Sequence, residues 1–277
     1  MAAMFFGTSS WSEATWVGAF YPEGTRPGDF LSHYAEHFRT VEADNTYYAI
    51  PDRRLVEGWV RKTPENFVLS AKFPRSIVHG GEGPRPDPGV ILVPEKVDIE
   101  CERFLEMMRI LGSRCGPLVL QFPYFNKGVF PHPGPFLDRL DHFLGTLPDD
   151  FRYGVEVRNK WWIKPPLLEI LRRHKTALVL VDLAYMPHPA ELARRIDPVT
   201  TDFVYARLIG DRKAVEEKTD RFDRIVIDRT SRLNAWSDLL RSLLERVPKA
   251  YVYANNHYAG FGPATIRQLA DQVLDGL

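Results

Sequence analysis

The chain has 277 residues, 44% of them hydrophobic and 26% charged, a globular composition long enough to bury a large core. Its 36 Lys and Arg balance 36 Asp and Glu, which excludes a global basic field for nucleic acid or an anionic membrane and leaves room only for a local patch. Cys101 and Cys115 are the two cysteines and form no CxxC, so neither a cysteine-rich zinc site nor a disulfide framework is indicated.

The first residues, Met1 to Phe6, lack the basic start and apolar stretch of a secretory signal. No apolar run reaches the length of a membrane span. The expectation is a cytoplasmic protein in a reducing compartment, without a membrane partner.

Eight short apolar or alternating runs follow in chain order: Met4–Thr8, Thr40–Asp44, Phe67–Lys72, Pro117–Phe122, Tyr153–Arg158, Ala177–Asp182, Phe203–Leu208 and Ala250–Asn255. Each is rich in Val, Leu or aromatics and ends in polar or turn residues, as strands buried on both faces do. Helical patterns lie between them. Asp29–Phe38 and Asp52–Arg61 follow the first two runs. Asp98–Leu111 has Asp98 to cap it, Ile99, Leu105, Met108 and Leu111 on one face, and Gly112 to stop it. Ser231–Val247 carries a stripe of Leu233, Trp236, Leu240, Leu243 and Val247. A last helix opens at Pro263, a residue suited to a first turn. The helix after Asp182 is weak, because Pro187 and Pro189 interrupt it.

Strand alternating with helix implies a parallel sheet, and eight such units favour a single α/β domain over 1–277, a closed (β/α)₈ barrel. The rival is an open doubly wound sheet. That arrangement advertises a Gly-rich first turn, whereas the turn here reads Gly7-Thr-Ser-Ser-Trp11. Long loops after the third and seventh strands, Pro74–Val97 and Gly210–Arg229, fall on the face where barrels do chemistry and suit lids or binding loops.

Side chains alternate along a strand, so polar residues two apart at the strand ends turn toward one opening. Those residues are Glu42 and Asp44, Ser70 and Lys72, Gln121, Glu156 and Arg158, Asp182, Arg207, and Asn255, Asn256 and His257. Buried charges must meet a partner, water or a ligand. Simple ion pairs such as Glu156 with Lys72, or Glu42 with Arg158, would seal a barrel end without any catalytic role. Aromatics border the same face, among them Trp11, Tyr47, Tyr124, Trp161 and Tyr258. They suit stacking on a sugar or a base, or simple packing of the loops.

The chain resembles the YecE-like family, domain of unknown function 72. The resemblance rests on Gly7–Trp11 with Trp16–Pro22, Val41–Tyr48, Trp59 with Thr63-Pro64, Ser70–Lys72 and Ile77–His79. It continues through Gln121–Pro123, Val155–Arg158 with Trp161, Arg207–Gly210 and Asn255–His257 with Gly260. It implies a TIM-type barrel without an established activity. Its recurrent polar residues correspond here to Glu42, Lys72, Gln121, Glu156, Arg158, Arg207, Asn255 and Asn256. Asp44 replaces the family's usual Asn, and Ile209 replaces a common His.

These residues suit an enzyme on a phosphorylated or other anionic small molecule. In that reading Glu42, Glu156 and Lys72 are catalytic, with Glu42 or Glu156 as general base. Trp11, Asp44, Gln121, Arg158, Asp182, Arg207, Asn255, Asn256 and His257 bind the substrate. A carboxylate paired with Lys or Arg is, however, a weak base. A second reading, by analogy with endonuclease IV barrels, is metal-assisted phosphoester hydrolysis on nucleic acid, with Glu42, Asp44, Glu156, Asp182, His79 and His257 as ligands. Zero net charge, the absence of HxH or HExxH spacing and the nearby Lys72 and Arg158 oppose it. A third is a non-catalytic small-ligand binding protein. A retaining glycosidase using Glu42 and Glu156 is a fourth, although strands two and five lie far apart around the ring. No cofactor is required by the sequence, and no metal site is assigned, although a divalent metal fits the second reading.

Overall fold

The computed structural model describes residues 2–81 and 83–275. The strands are β1 Ala3–Thr8, β2 Thr40–Ala43, β3 Val68–Lys72, β4 Cys115–Gln121, β5 Tyr153–Glu156, β6 Ala177–Leu183, β7 Phe203–Gly210 and β8 Lys249–Ala254. The helices are α1 Phe30–His37, α2 Arg53–Lys62, α3 Arg75–Val78, α4 Pro94–Arg109, α5 Gly134–Thr146 and α6 Pro165–Arg173. Next come α7 Pro189–Ala193, α8 Arg212–Glu216, α9 Thr230–Leu244, α10 Asn256–Ala259 and α11 Gly262–Leu274. Among the described residues, no helix is long and apolar enough to cross a membrane.

The strands are parallel and run in the order β1-β8-β7-β6-β5-β4-β3-β2. The ring is nearly closed between β1 and β2, where Ser9 bridges Glu42 and the Ser10 amide donates to the Glu42 carbonyl at 2.8 Å. This is the (β/α)₈ architecture the alternating pattern predicts. Gly7 permits the closing approach, since a Cβ there would lie 2.2 Å from the Thr40 carbonyl oxygen.

The barrel interior is layered. At the N-terminal end Phe5 stacks on Tyr251 at 5.0 Å, and Phe203 meets Tyr251 edge-on at 5.8 Å. Tyr205, Tyr253 and Val179 form the next layer. Buried hydroxyls there find partners, with Tyr253 Oη 2.7 Å from Thr40 Oγ1 and 2.9 Å from Ser70 Oγ. On β2, β3, β5 and β7 the following inward positions are charged. A second, larger apolar layer lies between strands and helices, where each fully buried Leu or Phe contributes about 2 kcal/mol.

One helix expectation and one loop expectation are corrected. The helix expected to start at Asp98 begins at Pro94, which takes the first-turn position, and its buried face is Val97, Cys101, Phe104, Leu105 and Met108. Ile99 therefore points outward and is 84% exposed. The loop after β3 is also less of a free lid than its Gly and Pro content implies. Ile77, Val78, Ile91 and Leu92 are buried, and Arg139 donates to the carbonyls of Pro88 and Ile91 at 2.5 and 3.0 Å. The loop after β7 is tied down too, the Val226 amide reaching the Ala259 carbonyl at 2.7 Å.

Candidate functional site at the barrel mouth

β2, β3, β4, β5 and β7 each deliver one inward polar side chain to the C-terminal end of the barrel, two residues beyond the previous inward position. Arg207 of β7 is the hub. Its Nη2 donates to Glu42 Oε1 at 2.8 Å, and its Nη1 donates to Glu156 Oε2 at 2.5 Å and to Gln121 Oε1 at 2.7 Å. The planar guanidinium thus joins strands from distant parts of the chain through charge-assisted bonds. Tyr205, two residues earlier on β7, donates its hydroxyl to Glu42 Oε2 at 2.7 Å. Both oxygens of Glu42 are thereby occupied.

Lys72 and Arg158 stand at the margin of this hub. Lys72 Nζ lies 3.6 Å from Glu42 Oε1 and makes no hydrogen bond among the described residues. Arg158 Nε donates to Glu156 Oε1 at 2.8 Å while its side chain remains 22% exposed. The two glutamates and Arg207 are almost completely sealed from solvent.

Burial alone would raise the Glu42 and Glu156 carboxyls. The adjacent cations outweigh it: Arg207 and Lys72 hold Glu42 below the usual range, and Arg207 with Arg158 hold Glu156 down to about 2. Burial, reinforced by Arg207, lowers the Lys72 ammonium against the opposing pull of Glu42 and Asp44. Asp44 is raised, chiefly by burial and then by Glu42, although Lys72 opposes the shift. Three cations thus face two ionised glutamates, and the third carboxyl is pushed toward its neutral form.

The expected site divides. Glu42, Lys72, Gln121, Glu156, Arg158 and Arg207 converge, and Asp44 lies within the field of Lys72 and Glu42. Asp182 does not join them. β6 turns Ala177 and Val179 inward and Val181 pairs with Arg207, so Asp182 faces the helices. There it accepts from Arg232, from Trp236 Nε1 at 3.1 Å and from Tyr258 Oη at 2.9 Å, with His188 Nε2 at 3.5 Å. Trp11 packs edge-on against Trp59 at 5.7 Å and lines a separate cavity of about 670 Å³ beside α1 and α2.

The residues that follow β8 hold the loop together. Asn255 Oδ1 caps α10 through the His257 amide at 2.9 Å, and Asn256 Oδ1 accepts from Trp16 Nε1 at 3.2 Å and from Gly262 N at 2.9 Å. His257 Nε2 lies 3.3 Å from Glu216 Oε1. Among the described residues no three His, Cys, Asp or Glu side chains are arranged to hold a metal ion. Glu42 and Glu156 are bound to Arg207, and Asp182 lies outside the barrel, so the ligand set of the hydrolase reading is not assembled.

Two contributors, Tyr205 and Arg75, escape the sequence reading. Tyr205 shares the inward parity of Arg207, a signal the strand pattern does contain. Tyr47, in the turn after β2, feels the charges of Arg75 and Arg158, which oppose the upward push of burial on its hydroxyl. Arg75 opens the loop after β3 and has no carboxylate within ion-pair distance among the described residues.

The comparisons agree with this architecture. The chain is 35% identical over 157 residues to the UPF0759 protein YecE of Escherichia coli (strain K12), a match covering 56% of this chain and 48% of that one. It is 25% identical over 166 residues to the UPF0759 protein YunF of Bacillus subtilis (strain 168), covering 60% and 54%. The match thus spans about half the length of these curated relatives. The crystal structure of a DUF72 family protein from Thermotoga maritima superposes with a TM-score of 0.72 at 26% identity, covering 99% of each chain. The model of the family described as protein of unknown function DUF72 matches residues 5–276. With its barrel and its whole-length match in agreement, the chain belongs to the DUF72 family.

Proposed function

We propose that the chain is an enzyme acting on an anionic small molecule bound at the C-terminal mouth of the barrel. The observation that carries this reading is Lys72. A buried ammonium at a strand end would normally be fully paired, yet this one stands 3.6 Å from a carboxylate that Arg207 and Tyr205 already occupy. Its donors are free to take an anion, with the exposed part of Arg158 beside Glu156.

Two roles follow. The Glu42–Arg207–Glu156 group forms a rigid, preorganised floor that holds Lys72 and Arg158 in place, which suits electrostatic catalysis without reorganisation. Both glutamates are ionised and capped by cations, so they position groups and do not act as bases. Proton transfer falls to the pair whose environments push toward neutrality, Lys72 downward and Asp44 upward. The reading therefore favours isomerisation or elimination, in which a proton moves on a substrate tethered by its anionic group.

Thermal unfolding of the intact protein in the presence of inorganic phosphate, phosphorylated sugars and small carboxylates tests the site. A saturable rise in Tm with one class, absent in Lys72→Met, is the expected result. A rise of equal size in Lys72→Met, or no response to any anion, overturns the reading.

A further inference from the structure

We propose that the rim beside the mouth, built by the loops after β4, β5 and β6, binds single-stranded nucleic acid. The first observation is charge. Residues 123–137, 157–168 and 183–190 contain no Asp or Glu, although the chain as a whole carries 36 acids against 36 bases. The same segments carry Lys127, Arg158, Lys160 and Lys164. A neutral protein has therefore gathered positive charge along one part of its rim, the electrostatic footprint of a polyanion site.

The second observation is aromatic exposure. Trp161, Tyr124 and Tyr185 are 72%, 60% and 52% exposed, one on each of these loops. The neighbouring Trp162 shows the contrast. It is packed against Phe136 at 5.4 Å and Phe125 at 5.9 Å and supports the platform from below. Asn159 locks the β4 and β5 loops together, its Oδ1 accepting from Phe125 N and its Nδ2 donating to Phe125 O, both at 2.8 Å. The exposed rings thus stand on a rigid base.

The third observation is spacing. Two cavities of about 730 and 490 Å³ lie side by side and share Lys160, Trp161 and Tyr185 as common wall. Lys164 and Arg195 line the larger, and Lys127 and Arg158 the smaller; neither is lined by a carboxylate. Lys160 Nζ sits 5.3 Å over the Trp161 ring, pairing a cation with a stacking surface. Each compartment offers a ring for a base and two further cations for a phosphate. Such tandem repetition fits successive nucleotides of one strand.

Fluorescence anisotropy with a labelled twelve-nucleotide oligothymidylate tests the proposal on the intact protein. Saturable binding at low salt is expected, weakened about tenfold by Trp161→Ala and again by Tyr185→Ala. Lys160→Ala with Lys164→Ala should flatten the dependence of log affinity on log salt by about 1.4. These side chains are exposed, so loss of folding does not obscure the result. The same length of oligoribothymidylate distinguishes the sugar, and preference for either supports the site. Absence of binding, ring variants of unchanged affinity, equal affinity for a duplex, or equal affinity for thymidine monophosphate overturns it. Apart from the thymidine monophosphate control, none of these readouts involves a small anion, and none involves Lys72, so failure here is distinct from failure of the mouth reading.

Discussion

Arg207 and Glu156 meet at 2.5 Å on strands that are not neighbours, and neither side chain has more than 2% of its surface exposed. Arg207 is paired as closely with Glu42 on the other side, at 2.8 Å. Replacing Arg207 by Met leaves two buried carboxylates without their principal partner, and this should cost about 3–5 kcal/mol. Arg207→Lys restores a charge but not the two-armed geometry, and should recover only part of the loss. Urea denaturation monitored by circular dichroism measures both.

The lowered Glu156 carboxyl has a consequence in acid. A group whose folded-state value is depressed adds stability that is complete above its ordinary value and disappears as pH falls through the folded one. For Glu156 that window runs from 4.5 down to about 2. The stability difference between the wild type and Glu156→Gln should therefore be constant near neutrality and shrink steadily across that window. Chemical denaturation at a series of pH values gives the curve. A difference that stays constant down to pH 2 would contradict the charge assignment.

Asp182 makes a different case. Its carboxylate satisfies Arg232, Trp236 and Tyr258 between β6 and the helices. Asp182→Ala strands these donors and should destabilise the fold by about 3 kcal/mol. Because Asp182 faces away from the mouth, the anion-dependent rise in Tm should persist in this variant. Its disappearance would place Asp182 in the site after all.

Gly7 lies at the seam between β1 and β2, where an added methyl would collide with the Thr40 carbonyl. Gly7→Ala should destabilise by about 1–3 kcal/mol, the range typical of overpacking. Amide hydrogen exchange should show the extra loss of protection concentrated in β1 and β2.

The barrel itself is readable from the sequence because each strand is a short apolar run bounded by turns. The convergence of Glu42, Lys72, Glu156 and Arg207 is readable because a polar residue at alternating positions declares which side faces inward. Asp182 shows where that signal ends. Ala177–Val181 is apolar at every position, as a strand buried on both faces must be, so nothing in the run reveals the parity of the aspartate that follows. Ile99 shows the same for helices: a start placed four residues late at Asp98 obscures the true buried face, which begins with Val97. The occupation of Asn255, Asn256 and His257 by loop contacts depends on partners such as Trp16 and Glu216, remote in sequence.

Because Arg207 belongs to the seventh strand, a growing polypeptide makes Glu42 and Glu156 long before it makes their shared counter-ion. Until then both acids do better in water than inside a collapsed ring. The centre of this protein is therefore an assembly checkpoint, dry only after the seventh strand has been made.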